Sequence, residues 1–221
     1  MIPGPDIIVA CPRCNALARH GSLLSGNTFG EQQWTDGMRV APMCPFPPAY
    51  VRCRSCRGFH WLDDAKRVGK IPGPFDENPG AEVLPEWLEA PEVEEPTPAG
   101  YLEAIEAGAI APSPELEMRV RAMWRANAPF REHAPSGASQ AMVVDAPVDA
   151  EARRLNLEAI VGLLADADGD RLLMKAEALR ELGRFDEAIA ALDRVEGEGF
   201  RKIVSALRRY CEAGDPAPHV L

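Results

Sequence analysis

The spacing of hydrophobic positions changes once along the chain. Up to about residue 61, apolar side chains come in short runs separated by turn residues, as at Ile7 to Ala10, Tyr50 to Arg52 and Phe59 to Trp61. Runs of this length predict β-strands. From about residue 98 onward, apolar side chains recur three and four residues apart, which predicts amphipathic helices. The pattern therefore predicts an α+β fold, in which a small N-terminal β module precedes an α-helical C-terminal part.

A hairpin is predicted inside the β module. Two strand-like stretches, 33–35 and 38–40, flank Asp36 and Gly37, and both of these residues tolerate positive φ. Such a pair favours a two-residue hairpin loop. The wider segment from Ser25 to Gly37 is rich in glycine and amide side chains. It is either a recognition loop or a bulged hairpin, and no chemistry follows from its residues.

Two residue pairs that end in proline mark the starts of helices. Thr97 and Pro98 fit the N-cap and first position of a helix, because the threonine oxygen accepts an amide hydrogen bond and proline has no amide hydrogen. A second helix is predicted after Ser113 and Pro114. Its apolar stripe consists of Leu116, Val120, Met123 and Trp124.

Composition divides the chain further. Residues 71–97 combine six prolines with eight acidic residues, which predicts a linker rather than a packed core. The predicted organisation is a β module at 1–70, an acidic linker at 71–97, a helical hairpin at 98–133, a low-complexity linker at 134–149 and a helical region at 150–221.

The bulk composition indicates a soluble globular protein, with 46% hydrophobic and 26% charged residues. No run approaches the roughly 18 apolar residues of a membrane-spanning helix, and the N-terminus lacks a basic leader. We therefore expect a cytoplasmic protein with no membrane partner. The net charge of −10 is uneven, since residues 1–70 carry +4, residues 71–133 carry −9 and residues 134–221 carry −5.

Four of the six cysteines form two Cys-x-x-Cys pairs, Cys11 with Cys14 and Cys53 with Cys56. Two residues between cysteines allow a tight turn to direct both thiolates at one ion, and two such turns supply four ligands for tetrahedral Zn²⁺. In a reducing compartment, metal binding explains these pairs better than disulfides do. Zinc held by four thiolates has no open coordination position, so the predicted metal is structural and does not activate water.

The two pairs resemble those of the zinc-ribbon and rubredoxin-like group, in which each pair is followed by a small residue or one that tolerates the left-handed region. Here Asn15 directly follows the first pair and Gly58 lies two places after the second. The resemblance implies a ribbon with an inserted hairpin, because 38 residues separate the pairs. Iron in the same four-cysteine cage is the alternative metal, and it would allow electron transfer.

One stretch of the C-terminal part, AEALRELGRFDEAIAAL, resembles the middle of a tetratricopeptide repeat. Ala176 and Gly183 are small, Phe185 lies in the turn, and Ala188 and Leu192 are on the second helix. The resemblance covers about one repeat. It implies antiparallel helix pairs that stack into a surface for binding proteins, so we expect a protein partner to bind the helical C-terminal region.

Arginines beside the cysteine pairs suggest nucleic acid as an alternative partner, bound through Arg52, Arg54 and Arg57 near several aromatic residues. However, four thiolates and one Zn²⁺ carry a charge of −2, so the effective charge of residues 1–70 is nearer +2. The acidic remainder of the chain would also repel phosphate.

A calcium site is a further possibility. Four acidic residues have the ligand spacing of an EF-hand loop: Asp166, Asp168, Asp170 and Glu177. Arg171 occupies the position where that loop needs glycine. The competing interpretation needs no ion, because Gly169 would end one helix and Asp170 would cap the next.

The remaining candidates for acid–base chemistry are His20, Asp36, His60, Asp63 and Asp64. The chain has no nucleophile elbow, phosphate-binding glycine loop or HExxH motif. We therefore predict a non-catalytic adaptor or accessory protein with a structural zinc site. The alternatives are a nucleic-acid-associated accessory protein and an enzyme whose site lies between the two modules.

Overall fold

Strands come first along the chain and helices follow, as the hydrophobic pattern predicts. The computed structural model describes residues 1–45, 47–76, 82–108, 115–132 and 149–221. The first unit contains residues 1–31 and 41–96, and the second contains residues 32–40 and 97–221. The chain therefore passes from one unit to the other three times.

Antiparallel pairing organises the first unit. Its strands are β1 (Ile2–Pro3), β2 (Asp6–Ala10), β3 (Leu17–His20), β4 (Leu23–Ser25), β7 (Tyr50–Arg52), β8 (Phe59–Trp61) and β9 (Lys66–Ile71). Strand β2 lies between β3 and β9, while β1 pairs with β4 and β7 pairs with β8. The first cysteine pair lies in the turn between β2 and β3, and the second lies in the turn between β7 and β8.

A small apolar core lies under these strands. Ile7, Val9, Val51 and Leu62 are buried together, with Ala18, Ala65 and Val93 packed beside them. Ile8, Tyr50 and Phe59 are buried in the same unit. A metal that joins the two hairpins would add to the stability that this burial provides.

Residues 84–95, which we call the strap, pack along the first unit, although their composition predicts a linker. The short helix α1 (Pro85–Leu88) begins the strap, and the indole of Trp87 lies so close to Gly69 that a Cβ there would clash with it. Pro91 and Val93 then pair with β3, and Glu94 pairs with β7. The strap therefore belongs to the first unit.

The second unit consists mainly of helices, with one inserted β-hairpin. Its elements are β5 (Gln32–Gln33), β6 (Arg39–Val40), α2 (Pro98–Glu106), α3 (Glu115–Ala126), α4 (Ala128–Glu132), α5 (Ala150–Leu163), α6 (Arg171–Glu181), α7 (Phe185–Leu192) and α8 (Arg201–Glu212). Helix α3 packs against α2 and α5, and from α5 to α8 each helix packs against the next. Two buried apolar clusters result, one around Ile160 and Leu172 and one around Ala188 and Leu192.

Several local predictions for the helices are confirmed. Thr97 caps α2 by accepting a hydrogen bond from the Gly100 amide at 3.0 Å, and Pro98 is the first helical residue. Val120 and Met123 are buried on α3, with Leu116 and Trp124 packed against the same cluster. The predicted helix start at residues 113–114 and most of the predicted linker at 134–149 lie outside the described residues.

Candidate metal centre

The four paired cysteines bring their sulfur atoms together. The Sγ atoms of Cys11, Cys14, Cys53 and Cys56 all lie within 4.8 Å of one another. Two distances across the hairpins are 3.8 Å, from Cys11 to Cys56, and 3.7 Å, from Cys14 to Cys53. In a tetrahedral site with Zn–S bonds of about 2.3 Å, neighbouring sulfurs are about 3.8 Å apart. The four thiols therefore fit a tetrahedral metal ion.

Both cysteine pairs adopt the same turn. In the first, the Cys11 amide donates to the Ala16 carbonyl and the Asn15 amide donates to the Cys11 carbonyl, each at 2.9 Å. In the second turn, the Cys53 amide donates to the Gly58 carbonyl and the Arg57 amide donates to the Cys53 carbonyl, again at 2.9 Å each. The fifth residue of each turn is left-handed, with φ of 61° at Asn15 and 58° at Arg57. Two equivalent turns thus direct two sulfurs each at one point.

Gly58 does not supply the left-handed residue that its position after the second cysteine pair predicts. The left-handed residue of the second turn is Arg57, and Gly58 does not have positive φ. A Cβ at Gly58 would lie 2.8 Å from Cδ of Arg13, so the glycine provides space for that side chain. Arg13 of the first turn thereby packs on the second turn.

The pKa of the Cys14 thiol is lowered, which favours metal binding. A hydrogen bond from the backbone of Ala16, together with the three neighbouring cysteines, lowers the pKa of Cys14 to about 7. Because metals bind the thiolate form, a lowered pKa favours binding at neutral pH. The other two cysteines lie apart from the cluster, with Cys211 buried in the second unit and Cys44 half-buried in a loop of the first.

The arginines around the second turn have partners within the chain. Glu94 of the strap lies 3.4 Å from Nε of Arg54 and 3.7 Å from Nη1 of Arg57. The guanidinium of Arg52 lies over the ring of Phe59, 5.0 Å from its centroid. These contacts offset part of the positive charge that could attract a phosphate backbone.

The candidates for acid–base chemistry do not converge. Asp63 and Asp64 are exposed on a 3-10 turn, and His20 contacts the carbonyl of Gly21 at 2.9 Å. Burial lowers the pKa of His60, which is therefore neutral at pH 7. His60 lines a cavity of about 370 Å³, together with Val9, Val51 and strap residues 91–94. Asp36 lies in the second unit, within a network of polar side chains.

The hairpin at residues 32–40 has a longer loop than predicted. The Trp34 amide donates to the Met38 carbonyl at 2.9 Å, and the Gly37 amide donates to the Trp34 carbonyl at 3.0 Å. Thr35, Asp36 and Gly37 thus form a three-residue loop, with Gly37 at a φ of 82°. The prediction of a two-residue loop was wrong because Thr35 belongs to the turn and not to the strand.

Asp36 at the tip of this hairpin is buried among polar side chains of the helices. Its Oδ2 accepts hydrogen bonds from Arg131 and, at 2.9 Å, from Nδ2 of Asn127. Its backbone carbonyl accepts a 2.8 Å bond from the Trp124 indole. Arg131 also lies over the ring of Trp34, 5.2 Å from its centroid. The hairpin is therefore held by polar side chains of the helices in the second unit.

Thr35 belongs to a second network of buried hydrogen bonds. Its hydroxyl donates to Oε1 of Glu177 at 2.8 Å and accepts from the His219 amide at 3.1 Å. Both carboxylate oxygens of Glu177 accept from Arg180, at 2.6 Å and 2.8 Å. Arg180 also donates to the carbonyls of Asp215 and Ala217. The sequence identified Glu177 only as a possible calcium ligand and did not predict this network, because Thr35 and Glu177 are 142 residues apart.

Glu181 is a further buried acidic residue of the second unit. It accepts from Asn127 at 2.9 Å and from Arg153 at 2.8 Å, and its side chain is fully buried. Burial, with the nearby charge of Glu177, raises the pKa of Glu181 to about 8. The carboxyl group is therefore mostly protonated at pH 7.

The EF-hand spacing does not produce a calcium site. Asp166, Asp168 and Asp170 are exposed, whereas Glu177 is buried against Arg180. Gly169 has a φ of 51°, and α6 begins at Arg171 directly after Asp170. Among the described residues, the only group of His, Cys, Asp and Glu side chains positioned to share an ion is the four cysteines.

Comparisons with known proteins give no match to a family model, to a curated protein or to a solved structure. The resemblances to zinc ribbons and tetratricopeptide repeats therefore rest on the residues quoted above. Within the described ranges, none of the helices combines the length and apolar character needed to cross a bilayer.

Proposed function

We propose that this protein is a non-catalytic adaptor or accessory protein whose first unit contains a structural zinc site and whose helical unit binds a protein partner. The observation that carries the zinc assignment is the pair of Sγ–Sγ distances, 3.7 Å and 3.8 Å, which match the edge of a zinc tetrathiolate. Four thiolates occupy every position of a tetrahedral ion, so the metal would stabilise the two hairpins and would not catalyse a reaction.

The helical hairpin around Gly183 supports the second part of the proposal. Ala176, Ala188 and Leu192 are buried where α6 and α7 meet, which agrees with the small and apolar positions of a tetratricopeptide repeat. Gly183 ends the first helix with a φ of 73°. Stacked helical hairpins present extended surfaces that other proteins bind.

Two exposed leucines on α5 identify a surface for testing. Leu155 is 51% exposed and Leu163 is 43% exposed, and their spacing of eight residues places them on the same side of the helix. Single exposed leucines are common on protein surfaces, so this pair is a place to test the proposal and does not by itself support it.

The test is cross-linking of the full-length protein in its native host, followed by mass spectrometry and a binding titration with each purified candidate. We expect saturable binding that a Leu155→Ser, Leu163→Ser double variant weakens. Phe29→Ser is the matched control, because Phe29 is 80% exposed in the first unit. The proposal fails if no candidate binds saturably and if a turnover assay instead responds to substitution of His60 or Asp63.

Nucleic-acid association is the alternative, and it predicts binding that weakens steeply with salt and on changing Arg52, Arg54 and Arg57 to alanine. We favour the protein partner because each of these arginines already contacts Glu94 or Phe59. Salt-insensitive or absent binding to a single-stranded oligonucleotide would remove the alternative.

A further inference from the structure

The strap connects the hairpins that carry the two cysteine pairs. On β3, the Arg19 amide donates to the Pro91 carbonyl at 2.8 Å, and the Val93 amide donates to the Arg19 carbonyl at 2.9 Å. On β7, the Arg52 amide donates to the Glu94 carbonyl at 2.9 Å. Three backbone hydrogen bonds thus join the β2–β3 hairpin to the β7–β8 hairpin through four consecutive strap residues.

Both ends of this connection are anchored by side chains. At the N-terminal end, Trp87 packs on Gly69 of β9, a position that no residue with a side chain could occupy without displacing the indole. At the C-terminal end, the carboxylate of Glu94 contacts Arg54 and Arg57. These arginines flank Cys56, so the strap ends directly on the second cysteine turn.

We propose that docking of the strap and binding of the metal are thermodynamically coupled, so that each strengthens the other. The inference rests on the proposed zinc site. Both the metal and the strap join the same two hairpins, and whichever binds first holds the hairpins in the arrangement that the other requires. Coupling of this kind is reciprocal: if the docked strap raises the metal affinity by some factor, the metal favours the docked strap by the same factor.

The coupling has a structural consequence at the cavity of about 370 Å³ in the first unit. Strap residues 91–94 form one of its walls, and Leu17 and Val51 line other sides. Loss of the metal would weaken docking of the strap by the same factor, and each undocking opens this cavity and uncovers the paired edges of β3 and β7. Exposed strand edges bind other strands readily. The strap thereby makes exposure of a binding edge depend on metal occupancy.

Two strap variants of the full-length protein test the first direction of the coupling. Gly69→Ala displaces Trp87 without changing the strap or a cysteine, and Val93→Pro removes the amide that bonds to Arg19. The matched control is Glu92→Gln, an exposed strap residue. Competition with a chromophoric chelator measures zinc affinity. We expect it to fall about tenfold in both variants and to stay unchanged in the control.

The second direction is measured on the wild-type chain. Fluorotryptophan NMR gives one signal for each of the four tryptophans, and a Trp87→Phe variant assigns the signal of the strap. Removal of zinc with a chelator should shift the Trp87 signal and accelerate deuterium exchange of the Val93 amide. Unchanged zinc affinity in both strap variants, or an unchanged Trp87 signal without zinc, overturns the coupling and leaves the zinc site standing. Failure of the wild type to bind zinc overturns both.

Discussion

The hydroxyl of Thr35 donates a 2.8 Å hydrogen bond to Oε1 of Glu177, although 142 residues separate them in the chain. Both residues are buried, Thr35 at 3% exposure and Glu177 at 0%. A buried polar group without a partner is costly, so this bond and its neighbours make the hairpin at residues 32–40 part of the helical core. The stability of the second unit should therefore depend on residues that lie near the start of the chain.

Asp36→Ala is expected to destabilise the second unit by about 3 to 5 kcal/mol, because it leaves the buried guanidinium of Arg131 without its carboxylate. Urea unfolding followed by the helical circular dichroism signal measures the change. Asp193→Ala is the control, since it breaks an exposed pair with Arg208 and should cost less than about 1 kcal/mol. Equal effects of the two substitutions would contradict a structural role for Asp36.

Native mass spectrometry is expected to find one zinc ion bound to the wild-type chain, and none after Cys14→Ser or Cys56→Ser. Each substitution removes one of four ligands from a site whose sulfurs all lie within 4.8 Å. Cys44→Ser should retain the ion, because Cys44 lies outside the cluster. A coloured protein with absorbance in the visible range would indicate iron and would contradict the assignment of zinc.

The stability of the second unit is expected to fall as pH rises from about 4.5 to about 8, partly because of Glu181. Burial raises the pKa of Glu181 from 4.5 in the unfolded chain to about 8 in the folded protein. Between these values the unfolded state loses a proton that the folded state keeps, so rising pH favours unfolding. Urea midpoints measured across this range should fall less steeply for Glu181→Gln. Parallel profiles for the two proteins would show that Glu181 is ionised when folded.

Deletion of residues 217–221 is expected to destabilise the second unit by about 4 kcal/mol, at roughly 1 kcal/mol for each of the four hydrogen bonds lost. In this segment, the Ala217 carbonyl accepts a hydrogen bond from Arg180, and the Leu221 amide donates to the Gln33 carbonyl. The His219 amide donates to the Thr35 hydroxyl, and the His219 carbonyl accepts from the Thr35 amide. Thermal unfolding of the shortened chain measures the loss.

His219→Ala in the full chain separates side-chain from backbone effects of the same segment. It removes only the stacking on Tyr210 and the pair with Asp215, so it should cost less than the deletion. An equal loss of stability in the two variants would show that the backbone hydrogen bonds contribute little.

Features set by neighbours in sequence were predictable. The two cysteine turns follow from the two-residue spacing, and Asn15 adopts the left-handed conformation that its side chain tolerates. Thr97 caps α2 because capping involves only the next three residues. In each case the deciding contacts lie within about one turn of the chain, and residue type alone largely determines them.

Features set by distant contacts were not predictable. The composition around Pro91 predicts a linker, yet the strap pairs with Arg19 and Arg52, and nothing in its own residues specifies those partners. Asp36 was a candidate only for a hairpin loop or for acid–base chemistry. Its partner Arg131 lies 95 residues away, and buried ion pairs of this kind have no sequence signature.

The interleaving of the two units constrains how the protein can be synthesised and divided. Residues 32–40 are synthesised long before Glu177 and His219, the residues to which Thr35 hydrogen-bonds in the second unit. The hairpin therefore lacks these two partners until the last helices of the second unit have been made. For the same reason, a gene fragment encoding only residues 97–221 would produce a helical unit with a gap where its own hairpin belongs.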